Sequence, residues 1–98
     1  MKKFDEIDWS SKKLIVIDFR SDTCGPCKQV AKIIDTIQTD DACFYECSAD
    51  DDGSDELMAQ YAIRTVPTLV FIKEGTVVAR LTGMQTKETI EETINNSK

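Results

Sequence analysis

The stretch LIVIDFRSDTCGPCKQVAKIIDTI, residues 14–37, changes its hydrophobic rhythm at a pair of cysteines. Leu14 to Phe19 is a short, nearly continuous apolar run rich in β-branched side chains, the pattern of a strand buried on both faces. Beyond the cysteines, Val30, Ile33, Ile34 and Ile37 recur at i, i+3, i+4 and i+7, which draws one apolar stripe on a helix predicted from about Pro26 to Thr39. Proline suits that start, because its fixed φ fits the first helical turn and its missing N–H has no partner there to lose. Cys24 therefore stands just past the carboxyl end of a buried strand and just before a helix, where α/β sheets present reactive groups.

The rest of the chain continues the alternation. Ala42 to Cys47 (ACFYEC) reads as a second strand, and Leu57, Met58, Tyr61 and Ala62 as one face of a helix that Ser54 is expected to cap. Thr68 to Lys73 (TLVFIK), Glu74-Gly75 and Thr76 to Leu81 (TVVARL) read as a β-hairpin, and Thr86 as the cap of a last helix with Ile90 and Ile94 on its inner face. The predicted order is β-α-β-α-β-β-α, without repeats, linkers or low-complexity segments. This is an α/β protein with parallel pairing at the start and an antiparallel hairpin at the end: a mixed central sheet of four to five strands flanked by helices on both faces. Before the first strand, Phe4, Ile7, Asp8 and Trp9 suggest a short helical turn over the sheet edge. Ninety-eight residues with 41% hydrophobic content suit one domain, residues 1–98, with one core.

A formal charge of -6 repels phosphate backbones and anionic lipid surfaces, and the 12 basic residues form no block that overcomes this locally. Nucleic-acid and membrane partners are not expected. The longest apolar runs are too short to span a bilayer, and MKKFDEIDWSSKK lacks a signal-peptide core, so the chain reads as soluble and retained in a reducing, cytoplasmic compartment. In that setting four cysteines argue for thiol chemistry or a metal rather than a disulfide framework.

A thiolate forms more readily at a helix N-terminus, where unpaired N–H groups and the macrodipole favour an anion; an unperturbed thiol is only roughly 3% ionised at pH 7. Cys24, nearest the loop, is the expected exposed attacker, and Cys27, one helical turn in, the covered sulfur that resolves a mixed disulfide. The two-residue spacer brings the sulfurs close enough to bridge, and Pro26 stiffens it. Zinc is the rival reading, since Cys24, Cys27, Cys43 and Cys47 spell C-x2-C-x15-C-x3-C. Against it, the helical stripe occupies the long spacer, and Cys43 and Cys47 lie in an apolar strand pattern where a cysteine is usually a small buried hydrophobe. The acidic run ADDDGSDE does not match a calcium loop: with Gly53 at the sixth position, Ser48 and Ala59 stand where the leading acid and closing glutamate belong.

With LIVIDF, then CGPCK, then IRTVPTLVFIKEG, then Gly83 before the final helix, the chain resembles thioredoxins in order and spacing across nearly its whole length. The resemblance implies the thioredoxin fold and a protein-disulfide reductase working by dithiol-disulfide exchange, with the Cys24–Cys27 disulfide as its redox centre and no other cofactor or metal. It further implies that Asp18 is a buried carboxylate beneath the dithiol that helps move the proton of Cys27. Pro67 is implied to be a cis-proline facing the dithiol. Thr65 and Val66 would offer backbone to an extended substrate segment, with Gly25, Pro26 and Gly83 completing the substrate surface. Electron transport and cell redox homeostasis are the implied roles, with disulfide-containing proteins as substrates, a reductase such as thioredoxin reductase as donor, and a monomer as the working form. Blander readings stand beside these: Asp18 as an ordinary polar residue where a strand emerges, Pro67 as a trans proline opening an edge strand, and the whole chain as a thioredoxin-fold interaction module with an incidental dithiol.

The departures from the family pattern fall around the site. Thr23 stands where the family usually has a tryptophan before the first cysteine, and Arg20 and Ser21 replace apolar residues. Lys32 replaces the proline that kinks the first long helix, which predicts a straighter one. Glu46 takes a place where many bacterial members carry lysine, which predicts the loss of a positive charge close to Asp18. The segment before LIVIDF is several residues short of the family's opening strand and helix.

Overall fold

In the computed structural model, which describes residues 1–98, the chain runs β1 (Lys2–Lys3), a 3-10 turn (Phe4–Glu6), β2 (Leu14–Arg20), α1 (Gly25–Asp35), β3 (Ala42–Ser48), α2 (Ser54–Gln60), β4 (Thr68–Lys73), β5 (Thr76–Thr82) and α3 (Lys87–Ser97). The strands form one five-stranded sheet in the order β1-β3-β2-β4-β5. β3 pairs in parallel with both β1 and β2, whereas β4 runs antiparallel to β2 and β5 to β4. This is the mixed sheet expected from the sequence.

The uninterrupted apolar run of β2 has a packing reason. Successive side chains point to opposite faces, and both faces are covered. Leu14 and Val16 join Val30, Ile34, Leu69, Phe71, Ile90 and Ile94 in a core beneath α1 and α3. Ile15, Ile17 and Phe19 join Tyr45, Cys47, Val70 and Ile72 in a second core, with Leu57, Met58 and Tyr61 of the α2 region packed on it, so the single core expected from the sequence is divided in two by the sheet. Removing each large apolar side chain from water contributes about 1.5–3 kcal/mol, so a strand shared by two cores is a strong organiser of the sheet.

Turns and caps set the remaining geometry. Glu74 and Gly75 both have positive φ (48° and 84°), the two-residue connection whose twist suits a hairpin and which favours glycine. Thr86 caps α3 as predicted, its Oγ1 accepting the Thr89 N–H at 3.1 Å. Three expectations are corrected. α1 ends at Asp35 rather than near Thr39, because Thr36 N–H and Ile37 N–H turn back to the Ile33 and Ile34 carbonyls, three residues before each; Ile37 still packs against the core from outside the helix. Ser54 is not the cap of α2: Gly53, at φ 82°, takes that place, and the Ser54 hydroxyl donates to the Ala49 and Asp51 carbonyls. The opening segment keeps a two-residue strand as well as the expected turn, with Phe4 and Ile7 against the second core and Trp9 45% exposed.

Candidate active site

The carboxyl end of β2 passes to α1 through a short loop that other segments hold in place. Asp22 N–H donates to Asp50 Oδ2 at 2.7 Å, Ser48 Oγ donates to Asp22 Oδ1 at 3.0 Å, and Cys24 N–H donates to the Ser21 carbonyl at 3.3 Å. The loop is thus tied to the end of β3. Thr23 is exposed on it.

Cys24 is the N-cap of α1, with extended backbone (φ -89°, ψ 109°), and its Sγ accepts the Cys27 N–H at 3.1 Å. One of the unpaired N–H groups of the helix start is therefore satisfied by sulfur. Cys24 and Cys27 form a disulfide, with Cα atoms 5.3 Å apart, within the usual range for such a bond. Cys24 is half-buried, Gly25 and Pro26 are exposed, and Cys27 is fully buried on the α1 face that carries Val30 and Ile34.

Across from the dithiol, the Val66–Pro67 peptide is cis, and the Val66 carbonyl oxygen lies 4.0 Å from Cys24 Sγ. The neighbours of that carbonyl are occupied: the Pro67 carbonyl accepts Gly83 N–H at 2.8 Å, and the Thr65 carbonyl accepts the Thr68 hydroxyl at 2.7 Å. Gly83 has φ 86°, a conformation glycine adopts readily. The Val66 backbone, outside any strand, makes no backbone hydrogen bond of its own. Dithiol, Thr65–Pro67 and Gly83 therefore meet in one place, although they are distant in sequence.

Asp18 is wholly buried, and neither carboxylate oxygen has a hydrogen-bond partner. Its place on β2 gives it the same face as Leu14 and Val16, the side covered by α1. Burial pushes its pKa from 3.8 up to about 7; nearby Arg20 works against the rise and Glu46 adds to it. Glu46 stands opposite Asp18 in the β2–β3 register, and Arg20 Nη1 lies 3.6 Å from Glu46 Oε2. The lysine charge that Glu46 replaces is absent as expected, and Arg20 supplies a positive charge at this corner from β2 itself. The signal was present in the sequence, since Asp18 and Arg20 at i and i+2 on a strand share a face.

The other two cysteines lie elsewhere. Cys47 is buried among the second core and Cys43 packs against it, on the opposite side of the sheet from α1. No three metal-binding side chains gather anywhere, so the four cysteines form no zinc site. A mainly apolar concavity of about 450 Å³ is lined by Met1, Ile34, Ile37, Cys43 and Phe44 among others, at the far end of α1 from the dithiol.

The family model for thioredoxin matches residues 1–96. The chain belongs to the thioredoxin family. It is 30% identical over 83 residues to the thioredoxin of Mycoplasmoides gallisepticum, covering 85% of this chain and 83% of that protein. It is 38% identical over 84 residues to thioredoxin-2 of Saccharomyces cerevisiae, covering 83% and 78% respectively. Among solved structures, a mutant thioredoxin from Halobacterium salinarum superposes with a TM-score of 0.81 at 30% identity, covering 90% of this chain and 77% of that one. Fasciola hepatica thioredoxin superposes at 0.79 and 32%, covering 91% and 85%. With this membership and a cysteine pair at bonding distance, this member of the thioredoxin family is a thiol-disulfide oxidoreductase of the disulfide-reductase kind. The interaction-module reading with an incidental dithiol falls. No helix is long and apolar enough to cross a membrane.

Proposed function

We propose that Cys24 is the attacking sulfur, Cys27 the resolving sulfur and Asp18 the proton carrier between Cys27 and solvent. The observation that carries this reading is the graded exposure at one helix start: half-buried Cys24 Sγ accepts the Cys27 N–H at 3.1 Å, while Cys27 is 0% exposed. In the reduced protein the same N–H and the helix dipole favour a thiolate on Cys24. That thiolate attacks one sulfur of a substrate disulfide, and the other substrate sulfur leaves with the bonding pair. Cys27 then gives its proton to Asp18 and attacks Cys24. The Cys24–substrate bond breaks as the Cys24–Cys27 bond forms, and the second substrate thiolate takes a proton from solvent. Two electrons pass from the dithiol to the substrate.

The free backbone of Val66 beside Cys24 supports a substrate bound as an extended segment along Thr65, Val66 and Pro67, with Gly25, Pro26 and Gly83 at its flanks. Residues 1–98 act as one domain and as a monomer in a cytoplasmic setting, with disulfide-containing proteins as substrates. The redox disulfide is the only cofactor, and a reductase such as thioredoxin reductase returns the electrons. Thr23 leaves the docking surface without an aromatic anchor at that position, which narrows the range of partners. The test is reduction of a protein disulfide with NADPH and a thioredoxin reductase. Cys27→Ser is expected to accumulate a covalent mixed disulfide and Cys24→Ser to have no activity; turnover by Cys24→Ser at the wild-type rate would falsify the assignment.

A further inference from the structure

Three ionisable side chains project to one side of the sheet where β2 ends. Asp18 and Arg20 share a face of β2, and Glu46 on β3 is paired with Asp18 in the parallel register. Their exposure is graded: Asp18 is wholly buried, and the Arg20 and Glu46 side chains are 19% and 26% exposed. Arg20 touches Glu46 through Nη1 at 3.6 Å, while its Nε is buried without a partner, as are both Asp18 oxygens. On the other elements over this face, α1 presents Cys27, Val30 and Ile34, α3 presents Ile90 and Ile94, and β4 places Leu69 opposite Asp18. Cys27 is the one titratable group that these elements bury there. Lys28 and Lys32 of α1 lie outside this buried set. The charges bearing on Asp18 are therefore Arg20 and Glu46, with opposite signs and in contact with each other.

We propose that the Arg20–Glu46 ion pair is a positioning device that keeps Asp18 able both to take the Cys27 proton and to release it again. Arg20 favours the ionised carboxylate, Glu46 the protonated acid, and their contact holds the two influences in balance. This rests on the reading of Asp18 as proton carrier for Cys27. In the resolving step, the proton leaves Cys27 Sγ for an Asp18 oxygen, the Cys27 electron pair forms the bond to Cys24, and the electron pair of the broken bond departs on the substrate sulfur. Asp18 must enter that step ionised and return its proton to solvent afterwards. Arg20 without Glu46 would hold the carboxylate too weakly basic, and Glu46 without Arg20 would leave it protonated for more of the pH range.

The experiment follows Asp18 directly by carboxyl ¹³C NMR titration of the oxidised protein, and follows the acid limb of the single-turnover reduction rate of a model disulfide, in wild type, Glu46→Gln, Arg20→Gln, the double variant and Asp18→Asn. Glu46→Gln is expected to lower both midpoints by about one pH unit, and Arg20→Gln to raise them by about one. The double variant returns them toward wild type, and neither change moves the rate profile once Asp18→Asn is present. Should Arg20→Gln fail to fold, Arg20→Lys, which keeps the charge, is expected to leave the midpoints in place while Glu46→Gln still lowers them. A purely structural ion pair would change the unfolding midpoint and leave both titrations unmoved, and that result overturns the proposal while Asp18→Asn still abolishes the limb. If instead Asp18→Asn keeps the acid limb, the proton-carrier reading fails and the proposal goes with it.

Discussion

Replacing Asp18 by asparagine tests the buried carboxylate through stability alone, independently of catalysis. Asp18 is wholly buried without a hydrogen-bond partner, and its pKa rises from 3.8 to about 7 on folding, chiefly through loss of hydration. The folded protein therefore holds this proton more tightly than the unfolded chain. Between the two values the folded state binds more protons, so stability falls as pH rises from about 4, and the loss is complete above about 7. At about 1.36 kcal/mol per pH unit the rise corresponds to about 4 kcal/mol, a large part of the roughly 5–15 kcal/mol that stabilises a domain. The asparagine side chain would not titrate. Its buried amide carries a penalty of about 1–3 kcal/mol that is the same at every pH. The quantity to measure is therefore the difference between variant and wild type in urea unfolding of the oxidised proteins at pH 4, 6 and 8. Asp18→Asn is expected to gain about 4 kcal/mol on wild type between pH 4 and pH 8, whatever its absolute offset. All other titrating groups are common to both proteins and cancel. A difference that is flat across the three pH values would refute the claim that burial dominates this carboxyl.

Three further outcomes follow from other parts of the fold. Thr86→Ala removes the side chain that accepts Thr89 N–H and should lower unfolding stability by about 1 kcal/mol, with the disulfide reduction rate unchanged. Phe71, 0% exposed between β2 and β5, should lose about 3–5 kcal/mol on change to alanine, whereas Val77→Thr at the 43% exposed edge strand should stay within about 0.5 kcal/mol in the same denaturant series. Burial pushes the Cys47 thiol up to about 11, so a thiol reagent at pH 8 should label half-buried Cys43 in the native oxidised protein and reach Cys47 only on unfolding; equal labelling rates by mass spectrometry would contradict that burial.

Local signals carried well wherever the physics is local. Proline at the start of α1, Glu74-Gly75 in the hairpin and Thr86 before α3 act on their own turn of backbone, and each stands where the sequence suggested. The errors share a cause. The stripe through Ile37 reports which side chains face the core, and Ile37 does face it, but periodicity does not register where helical hydrogen bonding stops at Thr36. Ser54 is a good cap by type, yet Gly53 reaches φ 82° and draws the serine into the helix, where its hydroxyl closes the preceding loop. Lys2 and Lys3 have no strand pattern at all; they form β1 only because the edge of β3 beside Tyr45 and Glu46 is open to them.

What the sequence by itself determined is the setting of the dithiol: a doubly buried strand, a cysteine at a helix start and a second cysteine one turn in, whereas the acid beneath it was implied only by the family resemblance. These are properties of neighbouring residues, set by side-chain alternation, helical period and the unpaired N–H groups of a helix terminus. Only the tertiary structure decided what surrounds the dithiol. The β2–β3 register puts Glu46 beside Asp18 and within reach of Arg20, and the connection into β4 brings Val66 to Cys24. The charge environment of Asp18 and the backbone that faces Cys24 depend on which strands pair and in which register. That choice is made by burying two cores at once, and no single stretch of chain contains it.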